Sequence, residues 1–200
     1  MKYEWKKHEK KLYGAKQTPA LIVVPAQNYI MINGEGNPNH VDFANRVAAL
    51  YSLAYAVKMR YKTSTASDID DYSIYPLEGV WNLKESKKFA KEDLQYSIMI
   101  RQPDIITQDM VNGAVEIVKQ KKANPLYEEI CFHTVRDGRC VEILHVGAYD
   151  DEPTSLEKMA RFIEDNGLKR CGEWHREIYL NHANRVDKSR LKTILRYQIT

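Results

Sequence analysis

The segment WHREIYL, Trp174 to Leu180, places a glutamate and a tyrosine two residues apart in a stretch that reads as extended chain. Alternation along a strand sends Trp174, Arg176, Ile178 and Leu180 to one face and His175, Glu177 and Tyr179 to the other. A carboxylate held against aromatic walls is partly desolvated. It becomes a better proton acceptor, and it attracts cations and polar hydrogens on flat ligands. Two chemistries suit that environment. In the first, an aromatic or cationic small molecule is captured between stacking walls drawn from Tyr51, Tyr55, Tyr75, Trp81, Tyr149 and Tyr179, with Glu177 as the charge. In the second, Glu177 activates a water and a tyrosine hydroxyl, here Tyr179, holds the oxygen that gains negative charge.

Glu78 is a second carboxylate of the same kind. YPLEGVW can be laid on WHREIYL so that Glu78 matches Glu177. By alternation Glu78 and Val80 share a face, with Tyr75, Leu77 and Trp81 opposite, unless Gly79 marks a bulge that re-aims Trp81.

Other site chemistries lack their residues. The six histidines include no HxxxH, and His133, His145 and His175 fall on separate strands, so no metal site is expected. Gly34-Glu35-Gly36 is not followed by the Lys-Ser/Thr pair of a phosphate loop. No GxSxG occurs, and Cys140 has no evident base. No cofactor is expected. Cys131, Cys140 and Cys171 form no CxxC pair, which fits idle thiols in a reducing cytoplasm. The net charge of +3 arises from 30 basic and 27 acidic residues that are interspersed, which disfavours direct nucleic-acid binding. The N-terminus lacks the apolar core of a secretory signal, and no apolar run approaches the roughly 20 residues that cross a bilayer, so no membrane role is expected.

The elements that must carry these residues follow from periodicity. An arm over 1–18 alternates charges with aromatics. LIVVP and QNYIMING read as a strand closed by a glycine turn. Phe43, Val47, Leu50, Tyr51, Ala54 and Val57 form a helical stripe. Strands over 73–82 and 94–102 complete a first module, 20–103. A connecting helix over 107–123 leads to a second module, 126–200, which begins with a hairpin turning at Asp137-Gly138. A helix over 155–166 and strands over 174–180 and 192–199 end the chain. Strand, helix, strand, strand thus occurs twice. The expectation is a single α+β domain, 1–200, built from duplicated strand-helix-strand-strand modules. A pseudo-twofold antiparallel sheet would carry helices on one face and a ligand groove on the other. A monomer or a homodimer is compatible with it.

The segments PLEGVW (76–81), SIMIRQPD (97–104), LHVGAYDDEPTSLEKM (144–159), HREIYLN (175–181) and LKTILRYQ (191–198) together resemble the gyrase-inhibitor-like (GyrI-like) small-molecule-binding family, in its free-standing branch. The resemblance covers nearly the whole chain from about Pro19. It implies the duplicated module with a groove between the halves. It further implies either drug sensing or hydrolysis of the cyclopropane of DNA-alkylating compounds, a detoxification. The family's pocket glutamate and aromatics carry over most directly to Glu177 and Tyr179, and less directly to Trp81, Tyr149 and Glu78. Met1 to Lys16 is too short for a helix-turn-helix, so a direct transcription-regulator role is disfavoured. An inhibitor acting on a protein such as gyrase is a third reading.

Overall fold

The computed structural model describes residues 1–64, 71–83 and 91–200. Most of the polar stretch Thr63 to Asp71, expected to end the helical stripe, and most of the charged loop KESKKFAKED lie outside the described residues, at 65–70 and 84–90. The order is β1 (Lys2–Tyr3), α1 (Trp5–His8), α2 (Lys10–Tyr13), β2 (Ala20–Glu35), α3 (Val41–Ser64), β3 (Asp71–Tyr72), β4 (Leu77–Leu83) and β5 (Leu94–Gln102). After these come α4 (Gln108–Lys121), α5 (Leu126–Glu129), β6 (Cys131–Val146), α6 (Glu152–Asp165), β7 (His175–Tyr179) and β8 (Lys192–Gln198).

The chain is α+β, and the repeated strand, helix, strand, strand order is present as β2-α3-β4-β5 and β6-α6-β7-β8. All pairs in the main sheet are antiparallel, and it closes on itself in the order β2-β5-β4-β7-β8-β6. The two modules meet twice, at β2–β6 and at β4–β7.

Helices cover the outer face. The stripe on α3 buries Leu50, Leu53, Ala54 and Val57 against Ile30, Ile32, Ile98 and Ile100, which alternate along β2 and β5. On α6, Met159 and Ile163 pack on Ile143 and Leu195 of β6 and β8. α4 lies against α3 rather than on the sheet, with Thr107 Oγ1 capping it by accepting from Met110 N at 3.3 Å.

The opposite face, turned inward by closure, is charged. Arg176 donates to Glu78 Oε2 at 3.1 Å and to Asp137 Oδ1 at 2.9 Å, and it is only 2% exposed. Arg196 donates to Glu142 Oε2 at 2.8 Å. The N-terminal arm joins this set: Glu9 pairs with the buried Arg101, Trp5 Nε1 donates to the Ile74 carbonyl at 2.9 Å, and Arg196 donates to the Leu12 carbonyl. Ions withdrawn from water persist only when every one is paired, and here each has a partner.

The expected hairpin at Asp137-Gly138 is absent. Residues 131–146 are one strand: its first part pairs with β2 as far as Glu142, and Cys140 to Val146 pair with β8. Gly138 does take the positive φ (67°) that its sequence signalled. That conformation coils a continuous strand between two neighbours instead of folding it back.

Candidate functional site

The register of β4 and β7 decides which side chains meet. Gly79 lies opposite Glu177, Glu78 opposite Ile178 and Trp81 opposite His175, with no bulge at Gly79. Facing partners share a face, so Glu177, Trp81, His175 and Tyr179 point outward and Glu78 and Ile178 point inward. The alignment of Glu78 with Glu177 is therefore off by one residue. Glu78 is 1% exposed, held by Arg176, and separated from Glu177 by the wall of the sheet. It does not share a face with Glu177, which lies on the helix-bearing side of the sheet.

Glu177 is 9% exposed, and both of its oxygens are engaged. His175 Nε2 donates to Oε1 at 2.8 Å, and the Tyr179 hydroxyl donates to Oε2 at 2.6 Å. The Tyr179 oxygen in turn accepts from Trp81 Nε1 at 3.0 Å. Burial, and then the charge of Glu177, hold the Tyr179 phenol well above its ordinary range, so it keeps its proton. The Tyr179 hydroxyl thus spends its proton on Glu177, whereas the sequence reading has it hold a substrate oxygen. Gly79 makes the arrangement possible: a Cβ there would sit 2.6 Å from Trp81 Nε1 and 3.3 Å from the Tyr179 hydroxyl. Phe43 on α3 and Tyr96 on β5 pack on the Trp81 ring at 5.8 and 5.3 Å.

A second carboxyl, Glu152, reaches the site from the first turn of α6. It is 6% exposed and lies against Glu177 and Thr193. Glu152 Oε1 and Thr193 Oγ1 are sealed from solvent and short of well-aligned partners, so a proton on Glu152 provides the donor that a contact with Glu177 requires. Burial first, and then the neighbouring Glu177 charge, raise the Glu152 pKa far above the carboxylate range. A helix N-terminus favours a charged carboxylate, but one turn of dipole is the weaker effect here. His145 fixes the entry to α6: its Nε2 donates to the Ala148 carbonyl at 3.0 Å and its Nδ1 accepts from Ser155 Oγ at 2.9 Å. Two buried carboxyls in contact, one holding a proton, form an acid and a base side by side.

The other expected residues divide by position. Tyr149, 39% exposed, meets Tyr179 edge-on at 5.7 Å. Tyr51, Tyr55 and Tyr75 line a cavity of about 450 Å³ that Tyr179 also lines, walled by the arm, α3 and the β7–β8 connection. Tyr75 is buried against Trp5 and bonded to Glu9, while Tyr55 is 56% exposed. Sequence reasoning missed Glu152 and His175. His175 stood on the right face of WHREIYL, whereas Glu152 sits in an acidic run, DDEP, that reads as a solvated loop. Among the described residues no three His, Cys, Asp or Glu side chains converge as a metal site would require, and no helix is long and apolar enough to cross a membrane.

Comparison with known proteins places this geometry. Residues 17–198 match the family described as GyrI-like small molecule binding domain. No curated protein matches the chain. Among solved structures, an uncharacterized conserved protein from Listeria innocua superposes with a TM-score of 0.91 at 31% identity, covering 99% of this chain and 100% of that one. A protein described as a hydrolase from Listeria innocua superposes at 0.88 with 30% identity, covering 99% and 100%. The EcmrR C-terminal domain, at 14% identity and a TM-score of 0.56 over 92% of this chain and 97% of that one, shares the fold.

Proposed function

Because this chain belongs to the GyrI-like small-molecule-binding domain family, we propose that it binds a hydrophobic aromatic molecule in the cavity walled by the arm, α3 and the β7–β8 connection, which reaches Tyr179 next to Glu177, and hydrolyses it. The reading rests chiefly on one observation: a buried Glu177 carboxylate, oriented by His175 and Tyr179, lies beside a second buried carboxyl, Glu152, whose pKa burial and the Glu177 charge raise. The Listeria innocua neighbour described as a hydrolase supports the reaction class.

The substrate class is a cyclopropane-bearing alkylator, as the family resemblance implies. Glu177 accepts a proton from water as the water oxygen bonds to a ring carbon and a ring C–C bond breaks. The electron pair of that bond passes through the conjugated system to the carbonyl oxygen, which takes up a proton and becomes a phenol. Relief of ring strain and aromatisation drive the step, so the protein binds, orients and supplies one base. Glu152 limits the carboxyl pair to a single negative charge, and Glu177 returns to its carboxylate by releasing the water-derived proton as the new phenol oxygen gains one.

The test is incubation with a cyclopropane-bearing alkylator, followed by mass analysis of the compound. The expected product is heavier by one water, and Glu177→Gln slows its formation by about 10²- to 10⁴-fold while thermal stability and binding persist. Recovery of unchanged compound from the native protein removes the hydrolytic reading. Stoichiometric uptake in that case leaves a binding protein.

A further inference from the structure

The cavity lined by Tyr51, Tyr55, Tyr75 and Tyr179 has one wall that the family match does not include. Glu4, Trp5 and Lys6 of the N-terminal arm face it, and the match begins at residue 17. The arm is fixed there by the buried Glu9–Arg101 pair, by the Trp5–Ile74 hydrogen bond, and by the packing of Trp5 on Tyr13 and Tyr75 at 4.7 and 6.2 Å. It is a built wall rather than a loose end.

Charge at the mouth of this cavity is one-sided. Lys6 from the arm and Arg185 from the β7–β8 connection both line it, beside His182. The acid in this lining, Glu4, pairs with Lys7, and Asp187 accepts from Ser189 and faces the charge of Arg190. No carboxylate among the described residues pairs with Lys6 or Arg185. Tyr179 lines the cavity and donates to Glu177, whose other oxygen accepts from His175. A cationic ligand would therefore meet positive charge in the lining and a carboxylate that is already hydrogen-bonded. An anionic group would meet Arg185 and Lys6, whose ammonium lies over the Trp5 ring at 5.2 Å, neither paired with a carboxylate among the described residues.

We propose that this cavity receives the aromatic body of the ligand, and that Lys6 and Arg185 at its mouth select compounds carrying a negatively charged substituent. The proposal rests on the binding half of the preceding reading and replaces the cationic ligand expected from Glu177 alone. Tyrosine faces serve the ring system, and the two flexible cations serve a carboxylate, sulfonate or phosphate at its solvent end.

The experiment compares two fluorescent probes that differ by one charge, anilinonaphthalene sulfonate and the uncharged phenylnaphthylamine. The native protein should bind the sulfonate more tightly. Lys6→Glu together with Arg185→Glu should weaken the sulfonate about fivefold or more at low salt and leave the neutral probe unchanged; both positions are exposed, so the fold survives. Equal affinity of the native protein for the two probes, or a charge-reversed variant that binds the sulfonate as before, would overturn the proposal. Neither measurement depends on turnover. Loss of hydrolysis with intact charge selection removes the hydrolytic reading alone.

Discussion

Glu152 and Glu177 reach the same buried point from different elements, the first turn of α6 and the middle of β7, so near each other that the Glu177 charge, after burial itself, raises the Glu152 pKa. The pair has a measurable signature. The Glu152 pKa is pushed up to about 9, so between the ordinary carboxylate range and that value the folded chain binds a proton that the unfolded chain releases. The stability this proton contributes is complete below the unfolded value and is lost as pH rises through the folded one. Denaturant titrations between pH 5 and pH 9 should therefore show stability falling with pH. Glu152→Gln, which keeps a neutral side chain of the same shape, should flatten that slope. An unchanged slope in the variant would place the proton elsewhere.

Tyr179→Phe removes the 2.6 Å bond to Glu177 and the acceptor for Trp81 Nε1 without changing ring packing. A hydrogen bond to a charged group is worth enough that turnover of the alkylator should fall roughly ten- to a hundredfold. Binding of an aromatic probe should hold. Parallel kinetics and fluorescence titrations separate the two; a loss confined to binding would make Tyr179 a wall and not an orienting group.

Gly79→Ala tests how closely the site is assembled. The added methyl would lie 2.6 Å from Trp81 Nε1, and no shift of the Trp81 ring is free of Phe43 and Tyr96. Overpacking of this kind costs about 1–3 kcal/mol, readable as a lower denaturant midpoint, and turnover should fall with it. Full activity in this variant would show that the Trp81–Tyr179 contact is dispensable.

Arg176→Met leaves Glu78 and Asp137 buried without their shared cation. Breaking a buried pair on one side costs about 3–5 kcal/mol, and the melting temperature reports it. Whatever fraction folds should retain probe affinity, since this cluster lines the inner face.

Much of the framework was legible in the residues because local patterns determine it. The stripe on α3, the helix capped by Thr107, and the strands around Ile98 and Ile194 each follow from periodicity within one segment. Glu177 and Tyr179 were legible by alternation. What was not legible depends on which strands become neighbours. YPLEGVW and WHREIYL look alike with their glutamates matched, but the antiparallel register sets Gly79, not Glu78, against Glu177. Asp137-Gly138 signals a positive φ correctly, while the choice between a hairpin and a coiled continuous strand is made by β2 pairing across it. Glu152 belongs by its own neighbours to a solvated acidic run, and it becomes buried only because α6 docks over β6 and β8 beside β7.

The sheet wall between Glu78 and Glu177 keeps two inventories of charge apart. Residues that share no partner contribute to stability nearly independently, so substitutions among Trp81, Tyr149, Tyr179, Tyr51 and Tyr55 should combine additively with changes at Arg176 or Asp137. Successive exchanges on the outer side can thus retune ligand choice while the inner salt bridges go on setting how firmly the scaffold holds, a partition that leaves room for new specificities to arise on an unaltered frame.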